Sequence, residues 1–331
     1  MNTLKKNLEP IDAVITWVNG NSQEHRNKRH DHMANVELPL HQNAVNPHRW
    51  ICNDEILYCL QSIHNYAPWT RKIWIVVDEA VPDLASLPAA LTAKVHFAFH
   101  NDIFAGFEDA LPTFNSLAIE SLIWRIEGLS ECFMYFNDDV FLTSPLESSD
   151  VFRDTFPVLR GKWVDYSALA DNPENQEDPA KFNHFMQINA ANIMGFDASR
   201  LFRAAHVVHP LKRSKMARLF EQHKRAFERN IKHRFRNLDQ FLPQGLHNHA
   251  CIVDHEAILH EVRDHLHIKS GHGKGCSVTE TRALLSRAQN SEVKFICVND
   301  LPQLEQVMPD ARDWLGRVVG GFSDVQVSDV Q

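Results

Sequence analysis

Residues 132–141, CFMYFNDDVF, run five apolar side chains (Cys132, Phe133, Met134, Tyr135 and Phe136) straight into Asn137-Asp138-Asp139. A short apolar run bounded by a polar cluster reads as a buried strand. In open α/β sheets, ligands bind outside the carboxyl ends of such strands. Two adjacent carboxylates repel each other unless a proton or a cation lies between them. Asp138 and Asp139 therefore point to Mg2+ or Mn2+, hard ions that link protein carboxylates to substrate phosphates. A plain turn is the alternative, because Asn and Asp are common after strands.

The segments on either side extend the pattern. Ile11–Val18, IDAVITWV, is rich in β-branched residues and ends at the turn signal Asn19-Gly20. KIWIVVD (72–78), KVHFAF (94–99) and KFICV (294–298) read as further strands. Residues 53–66 place Ile56, Leu57, Leu60 and Ile63 at helical spacing and stop ahead of Pro68. Residues 115–126 predict a second helix, with Leu117, Ile119, Leu122, Ile123 and Ile126 available for the core. The polar, His-rich residues 21–48 and the polar residues 171–179 read as loops, the former as a loop or lid. Residues 211–236 form a charge-dense helical stretch with ten Lys/Arg against Glu221 and Glu228. Strands alternating with helices predict an α/β fold with a Rossmann-like or GT-A-like, mostly parallel sheet flanked by helices.

With 331 residues the chain can bury a substantial core. Its net charge of −8 gives no general attraction to nucleic acid. The six cysteines form no CxxC pair, and several sit in apolar runs, as reduced thiols do. The start, MNTLKKNLEP, lacks the apolar core of a signal peptide, and no run approaches the ~20 apolar residues of a membrane span. The expectation is a cytoplasmic protein.

Asp78, Asn137–Asp139 and Asn299-Asp300 each end a strand, and Asp12 and Asn19 bracket the first one. Gathered at one sheet edge, they would make a polar crater suited to a nucleotide and its metal. Asn115-Ser116 reads as a helix cap, and a helix start also offers N–H groups to an anion. Arg236, at the end of the basic stretch, has the planar fork that grips phosphate, although a charge run is also a common solvated face. His206 and His209, in HVVH, can supply a base near neutral pH, or they are structural. HNHAC (247–251) places three potential zinc ligands on one strand face without a partner cluster. SGHGKGC (270–276) fails the GxxxxGK(S/T) pattern and reads as a flexible loop.

Together these residues resemble the Stealth family of sugar-phosphate transferases. That family includes bacterial capsular polysaccharide phosphotransferases and the catalytic subunit of the lysosomal N-acetylglucosamine-1-phosphotransferase. Its four blocks are matched by IDAVITWVNG from Ile11, a long block from about residue 49 to 142, residues 206–249, and KFICVND from Lys294. The resemblance implies a tail over 1–10, one catalytic domain over 11–320 with a helical subregion near 200–260, and a flexible tail over 321–331. It implies that Asp138 and Asp139 are the metal and active-site pair. Asp12, Asn19, Gly20, Asn115, Ser116 and Asn137 then bind the donor, Arg236 faces phosphate, and His206 or His209 is the base. The implied reaction moves sugar-1-phosphate from a UDP-sugar to a hydroxyl of a glycan or lipid-linked oligosaccharide, releasing UMP. No nucleic acid takes part, and peripheral contact with the inner membrane or the polysaccharide assembly machinery is compatible with it. The alternatives are a metal-dependent glycosyltransferase releasing UDP and a non-catalytic protein that binds polyanions or glycans through the basic helix.

Overall fold

A computed structural model describes residues 9–36, 39–46, 50–51, 54–269 and 277–322. The glycine-rich stretch 270–276, Cys52, and most of both expected tails lie outside the described residues. The strands are β1 (Ile11–Thr16), β2 (Ile73–Val77), β3 (Val95–Phe99), β4 (Cys132–Asn137), β5 (Val140–Leu142), β6 (Phe152–Arg153), β7 (Phe156–Val164), β8 (Leu201–Ala204), β9 (His209–Lys212), β10 (Ile258–His260), β11 (His265–Lys269) and β12 (Phe295–Asn299).

The central sheet has the order β3-β2-β1-β4-β9. β1 to β4 are mutually parallel and β9 is antiparallel to β4. This is the expected α/β architecture with a mostly parallel sheet. The order of strand addition reverses at the β1–β4 junction, where such sheets open a crevice at their carboxyl ends. Alternation along the strands divides the core. Ala13, Ile15, Met134 and Phe136 pack on one face, and Val14, Phe133 and Tyr135 on the other, as the two-residue period requires. Two smaller sheets flank this one: β10-β7-β6 with β8 against β7, and β11-β12-β5. β5 follows the acidic turn directly and pairs antiparallel with β12, placing the turn beside Asn299.

The helices that bear on the site are α1 (Gln23–Ala34), α2 (Glu55–Tyr66), α3 (Ser116–Glu120), α4 (Phe182–Ile193), α5 (Arg213–Gln222), α6 (Lys224–Lys232) and α7 (Pro243–Val253). Four local expectations need correction. Residues 23–34 are a helix rather than a loop. Ser22 Oγ caps the His25 N–H, and buried His25 packs on Trp50 and Phe114 at ring distances of 5.5 and 5.4 Å. The helix expected over 115–126 is broken into α3 and a 3₁₀ turn at Ile123–Arg125. The basic stretch begins as strand β9. Its Lys215 is 3% exposed and paired with Asp254 and Glu256 at 2.6 and 2.8 Å, so it does not present one unbroken cationic face. Finally, 247–251 lies in helix α7, opened by Pro243 in its first turn, where the missing N–H costs nothing.

Candidate active site

A cleft of about 540 Å³ opens where the acidic turn, β9 and helices α3, α4 and α7 meet. Asn137, Asp138 and Asp139 line one part of it, and Ser116, Arg236, His206 and His209 also reach it. The structure thus brings together seven of the expected site residues from segments far apart in the chain.

The acidic turn is shaped by the strands that carry it. Tyr135 donates to Asn137 Oδ1 at 2.8 Å and pairs with Thr16 Oγ1 at 3.0 Å, fixing the amide at the β1–β4 junction. Asp139 Oδ2 accepts from Asn299 Nδ2 at 2.7 Å. Burial, reinforced by the charges of Asp139 and Glu55, pushes the Asp138 carboxyl well above its ordinary range. Glu55, at the first turn of α2, also lines the cleft. A divalent cation relieves this strain between crowded acids. The carboxylate pair offers the hard oxygen ligands that Mg2+ or Mn2+ prefers. Among the described residues, no group of three or more His, Cys, Asp or Glu side chains forms a closed metal cage.

Arg236 Nη2 donates to Ser116 Oγ at 2.9 Å, and Nη1 reaches the Asn43 and Asn183 side-chain oxygens at 3.4 Å. The longer contacts are weak, so much of the fork is available to an anion. One turn from Ser116, Glu120 is 4% exposed and lines the cleft. Burial raises its carboxyl to about 7, against the opposing charge of Arg236 and the polar side chains of Ser116, Tyr135 and Gln244. Sequence reading missed Glu120. Its only signal is an acid at the end of an otherwise apolar SLAIE turn.

The two histidines differ. His209 stands on β9 opposite Tyr135, with rings 6.4 Å apart, and burial holds its pKa down to about 4. His206, itself exposed, sits in the β8–β9 turn against His267, with rings 4.7 Å apart. The strands on either side of that turn are tied to α7. Phe202 N–H donates to His249 Nε2 at 3.1 Å and Lys212 N–H to His247 Nε2 at 3.0 Å. His249 Nδ1 pairs with the Gly245 carbonyl at 2.7 Å. The two imidazoles weighed as potential zinc ligands are thus buried hydrogen-bond acceptors.

Four expected donor-binding residues stand elsewhere. Asp12 lies at the opposite, amino end of β1 and is wholly buried. It accepts from Arg71 at 2.6 and 2.7 Å, from Trp74 Nε1 at 3.1 Å and from the Ser130 N–H at 2.9 Å. Asn115 is 1% exposed and fully engaged. It caps the Leu117 N–H and donates to the His233 carbonyl and Gln240 Oε1. Helix α3, only five residues long, also adds little macrodipole for an anion. Asn19 lines a separate small cavity with His25, Lys28 and Asp78, so Asp78 leaves the expected crater as well. Gly20 is a packing position, because a Cβ there would lie 1.8 Å from the Trp50 carbonyl oxygen.

Comparison with known proteins bears on this geometry. The chain is 33% identical over 241 residues to an exopolysaccharide phosphotransferase of Streptomyces coelicolor, covering 71% of this chain and 42% of that one. It is 29% identical over 293 residues to an exopolysaccharide phosphotransferase of Nocardia farcinica, covering 88% and 55%. It is 28% identical over 295 residues to the exopolysaccharide phosphotransferase CpsY of Mycobacterium leprae, covering 88% and 51%. The chain thus spans about half the length of these curated relatives, or less. A solved complex of the galactosyltransferase LgtC with donor and acceptor sugar analogs aligns over 95% of this chain and 97% of that one. Its TM-score is 0.45 at 10% identity, a likeness too weak to argue from. Residues 9–37 match Stealth conserved region 1, and residues 49–158, which carry the acidic turn, Ser116 and Glu120, match Stealth conserved region 2. By these two regions, in order, the chain belongs to the Stealth proteins.

Proposed function

We propose that the chain transfers hexose-1-phosphate from a UDP-sugar to a glycan hydroxyl in exopolysaccharide or capsule synthesis, releasing UMP. The observation that carries this reading is the placement of a half-buried acid pair, Asp138-Asp139, and an Arg236 fork in one cleft at the sheet's carboxyl edge. The relatives' name, exopolysaccharide phosphotransferase, agrees with it.

Asp138 and Asp139 would hold Mg2+ or Mn2+, which supplies charge neutralisation at a diphosphate. Arg236 binds a phosphoryl oxygen with its free N–H groups, oriented by Ser116, and stabilises charge as phosphorus is attacked. His206 takes the proton from the acceptor hydroxyl. His209, held near 4, is too weak a base at neutral pH and serves to pack Tyr135. The walls exclude water and fix the sugar, an orientation effect that lowers a barrier by several kcal/mol.

The deciding experiment incubates the protein with Mg2+, UDP-sugars and a glycan acceptor and resolves nucleotide products by chromatography. UMP formed only when acceptor is present is the expected result. UDP as the sole product would show glycosyl transfer instead, and this reading would fail.

A further inference from the structure

Three acceptor atoms in the cleft wall have no hydrogen-bond partner: Gln187 Oε1, Gln244 Oε1 and Glu120 Oε2. All three residues line the cleft, and their exposures are 8%, 6% and 4%. Buried polar atoms are almost always paired, because an unmade bond there is costly. Three such residues from three helices, all lining one cavity, mark a wall that a ligand can complete.

The chemistry of the wall selects that ligand. An ionised diphosphate only accepts hydrogen bonds, and the atoms left without partners here are acceptors too. Its complement lies elsewhere in the cleft, at Arg236 and the acid pair. A sugar hydroxyl donates and accepts, so it pairs with carboxylate and amide alike. Helix α4 extends the same logic along one face. Asn183 and Gln187, four residues apart, share it; Asn183 reaches Arg236 at 3.4 Å and Gln187 lies one turn deeper. A hexose bonded to the phosphate gripped by Arg236 would fall against Gln187.

We infer that Gln187 and Gln244, beside Glu120, form the hexose subsite of the donor and set its sugar specificity by binding ring hydroxyls. This rests on the phosphotransfer reading above, in that a nucleotide sugar is the ligand.

The test is calorimetric titration of the intact protein, with Mg2+, by UDP and by UDP-glucose, UDP-galactose and UDP-N-acetylglucosamine. The variants are Gln187→Met and Gln244→Met, which keep side-chain length and remove the polar atoms. Wild type is expected to bind at least one UDP-hexose about tenfold more tightly than UDP. Each variant should lose most of that preference while its affinity for UDP stays unchanged. For Gln187→Met, the ligand-free melting temperature should hold or rise, since an unpaired buried oxygen has gone; a purely structural glutamine would lower it. If a Met variant does not fold, Gln187→Asn, which withdraws the amide by one methylene, should show the same selective loss. Retention of the preference in the folded variants, or an equal loss of UDP affinity, overturns the assignment while the donor reading stands. A wild-type protein that binds no UDP compound overturns both.

Discussion

The side-chain amide of Asn299 donates to Asp139 Oδ2 at 2.7 Å across 160 residues of chain, and the Val298 N–H donates to the Asp139 carbonyl at 3.0 Å. The acidic turn of the central sheet is therefore held by β12 of a different sheet. Groups that orient a metal-binding carboxylate typically contribute 10–100-fold to metal affinity or activity. Asn299→Ala should lower turnover by about that factor and raise the Mg2+ concentration needed for half-maximal rate, measured in a magnesium titration of UMP release.

The histidines should separate cleanly. His206→Ala removes the proposed base and should reduce turnover by about 10²–10⁴-fold. His209→Gln should cost far less in turnover at neutral pH. Equal losses in a steady-state assay would assign the base wrongly.

Arg236→Lys preserves the charge but abandons the planar fork and its bond to Ser116. A loss of about 10²–10³ in turnover is expected, the scale of removing one preorganised transition-state donor. Ser116→Ala, which leaves the guanidinium in place, should be much milder in the same assay.

Glu120 predicts a pH signature in stability. Its folded carboxyl keeps the proton up to about 7, whereas the ordinary value is 4.5. The native state thus binds more protons across this window, and the stability linked to this group is lost as pH rises through 7. Glu120→Gln removes the titration. Its melting temperature should exceed that of wild type at pH 8 and converge with it at pH 5.

Asp12 and Asp264 act in the opposite direction. Burial favours their neutral forms. It is outweighed by Arg71, Ser130 and Trp74 around Asp12, and by His265 and Arg160 around Asp264, so both folded pKa values lie below 3.8. Their stabilisation is present above the unfolded value and is lost as pH falls through the folded ones. Urea midpoints should therefore drop steeply below about pH 4. Asp12→Ala should cost about 1–3 kcal/mol at pH 7, because it strands the buried Trp74 and Ser130 N–H donors, while leaving the ligand affinity of the folded protein intact.

Much of this was legible in the residues. The strands around the acidic turn follow from apolar runs ending in Asn and Asp, and the meeting of Asp138, Ser116, Arg236 and His206 in one cleft agrees with the motif reading. Helix α1 was illegible because QEHRNKRHDHMA has no apolar stripe; contacts of His25 with Trp50 and Phe114 help hold it in place. HNHAC was misread as a strand face because five residues are too few to show the helical period of α7. Asp12 looked functional because its ion pair with Arg71, 59 residues away, leaves no local trace. Glu120, Gln187 and Gln244 escaped notice because their significance is the absence of a partner, which only packing reveals.

The two imidazoles of α7 work as a clasp on the two strands that flank the turn bearing His206. Each can accept the strand N–H only while neutral, and burial holds His247 to a pKa of about 3, so mild acid does not spring it. Slackening that clasp would let the reach of His206 wander with every group inside the cleft left untouched.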